Sequence, residues 1–137
     1  MLLMLIVAFK CNLDNQMNEC LVMIGYMLRL STAVPDYRIS IMLFRLQGEV
    51  HRTSCNLSGA ITSFQSMRNA AEDIGDGLSE TEAYYQAGIT FTHKNLRDYE
   101  AALKTFRRML QVAWFYNIRA AEIKAYDNIG KMCFYLS

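Results

Sequence analysis

The sequence predicts an all-α protein built of stacked antiparallel helical hairpins, and three observations carry that prediction. Small residues recur at Ala8, Gly48, Gly88 and Gly130, 40 to 42 residues apart, each with a bulky residue four positions before it: Met4, Phe44, Tyr84 and Tyr126. A second set lies between them. Cys20, Ala60 and Ala102 are each followed four residues on by Ile24, Phe64 or Phe106, and three further on by Met27, Met67 or Met109. Finally, the 137 residues include one proline and 53% hydrophobic side chains, the composition of packed helices and not of a tail or linker.

Each copy reads as one hairpin. A small residue on the first helix lets the second approach closely, the small residue of the second set does the same from the other side, and the bulky residues at i, i+4 and i+7 fill what remains. One hairpin cannot bury its own apolar face, so copies must stack. The first expected helix, 1–11, is apolar all round. It is read as buried and not as a signal sequence: no positive residue precedes it, no small-x-small cleavage site follows before Asn12, and it is about half a membrane span. Such a helix expects cover on both sides. Asn12-Leu-Asp-Asn15 then breaks the chain before a helix over 16–31, and Pro35-Asp36 restarts it for 36–53. Asn56-Leu-Ser58 opens 58–74, which Gly75-Asp-Gly77 closes. Ser79-x-x-Glu82 reads as a capping box opening 80–95. Two extra residues are absorbed around Asn95-Leu96, Arg97-Asp98-Tyr99 opens 98–116, and the last helix covers 118–136. The whole chain is one domain, with repeats near 1–40, 41–80 and 81–122 and a partial copy at 123–137.

Composition also excludes function classes. The 14 basic and 13 acidic residues are dispersed, leaving a net charge of +1 and no basic run to track a phosphate backbone, so no nucleic-acid or membrane partner is expected. Cys11, Cys20, Cys55 and Cys133 are far apart with no CxxC, which reads as buried thiols in a reducing, cytoplasmic compartment. His51 and Cys55 share a helical face, but two ligands are too few for structural zinc, and His51 falls at a packing position. No Ser-His-Asp order, Gly-rich phosphate loop or HExxH occurs, so no catalytic residue, metal or cofactor is expected. Trp114-Phe115-Tyr116 is expected to pack under the following hairpin, the alternative being an exposed anchor for a partner.

The third copy resembles a tetratricopeptide repeat. Tyr84-x-x-Ala87-Gly88-x-x-Phe91, then Asp98-Tyr99-x-x-Ala102-x-x-x-Phe106, follows that family's order of residue types, and Tyr126-x-x-Ile129-Gly130-x-x-Cys133 begins the next unit. Gln47 and Ala8 depart from the pattern, and the family's closing proline is absent from every copy. The long period is similar to that of kinesin light chain, rapsyn and the spindle-orientation adaptors. The resemblance implies a right-handed superhelical solenoid of about three and a half repeats, whose concave face is lined by the first helix of each hairpin and receives a peptide or helix of a partner protein.

On that frame the groove residues are Arg45, Glu49 and Arg52 in the second copy, Tyr85, Gln86, Ile89 and His93 in the third, and Lys124, Asp127, Asn128 and Lys131 in the fourth. A mixed polar and aromatic set is suited to gripping a peptide. The family's carboxylate clamp is not expected, because Glu49 sets a negative charge where an amide is needed. Apolar segments at 1–11 and 118–137, with no polar terminal helix, lead us to expect a fragment, a spliced product or a subunit whose ends are covered by other chains. The expected role is a non-enzymatic adaptor or scaffold in the cytoplasm, including a cytoskeletal or ciliary setting. The alternative is a purely structural subunit of a stable complex without a groove ligand.

Overall fold

A computed structural model describes residues 17–33 and 37–137, so the expected helix at 1–11, the turn at 12–15 and the Pro35-Asp36 restart lie outside the described residues. Among the described residues the chain is six helices with no strand: α1 (Met17–Ala33), α2 (Tyr37–Thr53), α3 (Leu57–Ile74), α4 (Gly77–Phe91), α5 (Tyr99–Tyr116) and α6 (Arg119–Leu136). Each packs against the next in chain order. With connections this short, neighbours run antiparallel. Beyond those pairs, the first helix α4 touches both α2 and α6, whereas the second helices make at most marginal contact.

The repeat sets where helices start. Tyr37, Gly77 and Arg119 each stand eleven residues before Gly48, Gly88 and Gly130, and Met17, Leu57 and Tyr99 each stand three before Cys20, Ala60 and Ala102. Three starts are capped by a short side chain accepting from a backbone N–H that has no partner within its own helix. Asn56 Oδ1 accepts from Gly59 at 3.2 Å, Asp76 Oδ1 from Ser79 at 3.2 Å, and Asp98 Oδ1 from Ala101 at 3.1 Å. The expected capping box at Ser79 is therefore corrected: Asp76 caps α4, Ser79 lies inside its first turn, and the helix ends at Phe91 instead of running to 95. Gly75 (φ 70°) and Asn117 (φ 59°) close α3 and α5 in the left-handed conformation, for which glycine and asparagine carry the least penalty.

Packing follows the two expected sets. Cys20, Ala60 and Ala102 are fully buried, as are Ile24, Phe64 and Phe106, with Met27, Met67 and Met109 beside them. These form three successive small cores, the signature of a stack in which each unit contacts only its neighbours. At Gly48 a methyl group would lie 2.5 Å from Phe64 Cε1, and at Gly88 it would lie 2.5 Å from Phe106 Cε1. Both rings rest against bare helix backbone. Gly77 is similarly pressed by the Tyr116 ring, which packs from the end of α5 back onto the start of α4 in the same hairpin.

Two expectations fail here. Cys20 is buried, but Cys55 and Cys133 are exposed; Cys55 sits in the left-handed turn after α2 (φ 62°) and Cys133 on the outer side of α6. Trp114 and Phe115 are exposed too: Trp114 tilts against Tyr126 of α6 with ring centres 6.4 Å apart but stays 53% accessible, Phe115 is 82% accessible, and Tyr116 is the one that packs onto Gly77. One prediction tests the glycine contacts. Gly88→Ala should lose about 1–3 kcal/mol of stability through overpacking on Phe106. Gly130→Ala, with nothing within 4 Å, should gain roughly 0.5–1 kcal/mol of helix stability. Urea denaturation of both variants reads the opposite signs.

Candidate functional site

The side of the stack made by α2, α4 and α6 gathers most of the sequence-predicted groove residues, and much of what they do is bind each other. Arg45 Nε donates to Glu49 Oε1 at 3.2 Å within α2, and Arg45 Nη2 reaches across to Glu82 Oε1 on α4 at 3.3 Å. Gln86 Nε2 donates to the same Glu82 oxygen at 2.8 Å, and Arg52 Nη1 donates to Gln86 Oε1 at 2.8 Å. One chain of contacts therefore runs Glu49–Arg45–Glu82–Gln86–Arg52. It joins two first helices, which explains how they approach so closely with polar surfaces. Gln86 is buried at the centre of this chain and is not a free groove side chain. Arg52 also lies over the Phe64 ring at 5.5 Å, so its stem and head cover the core.

Sequence reasoning misses Glu82, the acceptor at the centre of this network. The repeat holds the signal: Glu82 stands six residues before Gly88, as the groove residue Lys124 stands six before Gly130.

The fourth copy is more open. Lys124 Nζ sits 4.5 Å from the centre of the Tyr85 ring, a cation–π contact between α6 and α4. Tyr85 in turn tilts against Phe106 with ring centres 6.5 Å apart, and Ile89 packs partly into the same core. Lys131 pairs with Asp127 at 3.0 Å on the exposed face; hydrogen bonding to Asp127 holds the Lys131 ammonium above its ordinary range. Asn128 donates to the Lys124 carbonyl at 2.8 Å, spending its amide on its own helix. His93 is apart from all of these, in the turn after α4, where its Nδ1 accepts from the Asn95 backbone at 3.2 Å. The structure thus joins Arg45, Glu49, Arg52 and Gln86 in one network and Tyr85 with Lys124 in a second contact, with His93 in neither.

His51 is a half-buried residue in the last turn of α2 and not a core one. Its Nδ1 lies 3.1 Å from Asn56 Nδ2, so the amide donates to the ring nitrogen while Asn56 Oδ1 caps α3. That arrangement requires the neutral tautomer with Nδ1 unprotonated. Among the described residues no cluster of three or more His, Cys, Asp or Glu is placed to hold a metal, and no helix is long and apolar enough to cross a membrane.

A third surface is the outer side of α6. Ile123, Tyr126, Gly130, Cys133 and Phe134 fall at helical spacing on one stripe, and Ile123 (64%), Tyr126 (51%) and Phe134 (75%) are exposed. The matching stripe of α4 is the one that receives α5, with Phe106 against Gly88. At Gly130 the same position is open.

No protein-family model matches this chain, and no curated protein matches it. The chemistry of the site is therefore that of its own residues.

Burial holds the His51 imidazole below its ordinary value of 6.5. The native state then binds fewer protons than the unfolded one, so the stability linked to neutral His51 is present above that value and is lost as pH falls below it. We expect the urea midpoint to drop between pH 7.5 and 5.5, and His51→Gln to flatten that dependence.

Proposed function

We propose that this chain is a non-enzymatic scaffold or adaptor with a tetratricopeptide-like, right-handed superhelical arrangement. It grips a partner peptide or helix along the side lined by α2, α4 and α6, and it packs end-on through α6 within a larger assembly. The observation that carries this reading is the outer stripe of α6. Three large apolar side chains flank an open glycine at the register where Gly48 and Gly88 each take a phenylalanine ring. Contiguous apolar surface of this kind marks contact with another protein.

The groove part rests on two supports. Contact among the first helices but hardly among the second ones favours a curve with the first helices inside. Tyr85, Ile89 and the Lys124–Tyr85 pair then present aromatic, apolar and cationic surface on that inner side. The self-satisfied network of Arg45, Glu49, Glu82, Gln86 and Arg52 acts more as a brace for the curve than as the grip itself. The cytoplasmic setting, including a cytoskeletal or ciliary complex, belongs to the same proposal. A purely structural subunit, with no groove ligand, is the second reading, and it too draws on the α6 stripe.

Two variants of the intact chain separate these readings. Tyr85→Ala with Lys124→Glu should weaken a groove ligand by about 30-fold or more, as expected for an aromatic anchor, while leaving the assembly intact. Tyr126→Glu with Phe134→Glu should release the chain from its assembly. Native co-purification followed by mass spectrometry reads both outcomes. A chain that emerges alone and monomeric, unaffected by either pair, would contradict the proposal.

A further inference from the structure

A second site lies on the other side of the stack. Helical geometry puts Glu80 and Tyr84 on the face of α4 opposite Ile89. There they line a cavity of about 560 Å³ together with Arg68 and Glu72 of α3 and Lys104 and Arg108 of α5. That volume falls within the roughly 300–1,000 Å³ of small-ligand pockets. The space exists because α3 and α5, both second helices, barely touch each other while each packs on α4.

Glu80 is the anomaly. Its side chain is only 6% exposed, and its Oε2 has no hydrogen-bond partner. Burial pushes the carboxyl above its ordinary range, the charge of Glu72 adds to the rise, and Arg68 offsets part of it. Arg68 does not satisfy it. Its guanidinium donates to Asn69 Oδ1 at 3.3 and 3.0 Å and lies 5.5 Å from the centre of the Tyr84 ring. Among the described residues, Lys104 and Arg108 make no ion pair. A buried carboxylate without a partner is unfavourable, and a neutral side chain in its place would stabilise the fold. An orphaned acid in a cavity with unpaired cations on its wall is instead the arrangement of a binding site.

We propose that this cavity binds a zwitterionic ligand: an ammonium or guanidinium group enters against Glu80 Oε2, and a carboxylate on the same molecule meets Lys104 and Arg108. The cation supplies the donor that Glu80 lacks, and the carboxylate answers the excess positive charge. Either a free basic amino acid or a lysine or arginine flanked by acidic residues in a peptide offers this chemistry. The site is independent of the groove and of the α6 stripe, so it stands or falls separately from the adaptor reading.

The test titrates the intact chain with free L-arginine in one arm and the capped tripeptide Asp-Arg-Asp in the other. Calorimetry and backbone amide shifts provide the readout. Saturable binding in either arm, with shifts centred on Glu80 and Arg108, is the expected result, and the arm that binds identifies the source. Glu80→Gln, nearly isosteric, should weaken that binding by about 30-fold or more, as truncating one partner of a buried charge pair does. Lys104→Ala with Arg108→Ala, both exposed and harmless to folding, should also weaken it. Three results would overturn the proposal: no saturation in either arm, shifts confined to another surface, or affinity unchanged in both variants. The first would mean that Glu80 is held protonated or satisfied by water alone.

Discussion

A phenylalanine ring laid against the bare backbone of a helical glycine sets the distance between first and second helices in the two hairpins that are complete among the described residues. Phe64 meets Gly48 and Phe106 meets Gly88 in nearly the same geometry, with each ring fully buried. Glycine in a helix interior is unfavourable by roughly 0.5–1 kcal/mol relative to alanine, so its presence at these positions reflects the close approach it permits. Ala60 and Ala102 complete the contact from the other helix. Once that spacing is fixed, the bulky residues a turn away have only one place to go. The three small cores then follow in sequence along the stack.

The same spacing distributes the polar chemistry. First helices are drawn together, and the surfaces they bring face to face are polar. Arg45, Glu82, Gln86 and Arg52 must therefore bond one another, as groups left unpaired at such an interface would oppose it. Second helices are held apart on the opposite side, and the wedge between α3 and α5 becomes the cavity that holds Glu80. A network on one side and an orphaned acid on the other thus share one geometric cause.

Much of the fold is legible in the sequence because the repeat writes it three times over. The buried sets Cys20/Ala60/Ala102, Ile24/Phe64/Phe106 and Met27/Met67/Met109 stand out from their spacing alone. The start of α4 is misread where a local signal competes with the register: Ser79-x-x-Glu82 has the form of a capping box, yet Asp76 stands where the repeat requires the cap. The candidate site is less legible. Which polar side chains turn toward each other depends on how close the helices come, so spacing alone assigns Gln86 to the groove and passes over Glu82. Glu80 carries no sequence signal at all, since a glutamate in a first helical turn is ordinary. The expectation for the aromatic triplet Trp114-Phe115-Tyr116 fails because adjacent helical residues point about 100° apart and cannot all face one core.

The most direct measurement is a proton–carbon NMR spectrum of the glycine α positions in the intact chain, with distance contacts to the phenylalanine rings. The account predicts that the α protons of Gly48 and Gly88 are both displaced by ring currents and show contacts to Phe64 and Phe106 respectively. Gly130, with its register position open, should show neither effect until a helix docks on α6. Ordinary shifts at Gly48 and Gly88 would contradict the account, as would a Gly130 that matches them in the isolated monomer.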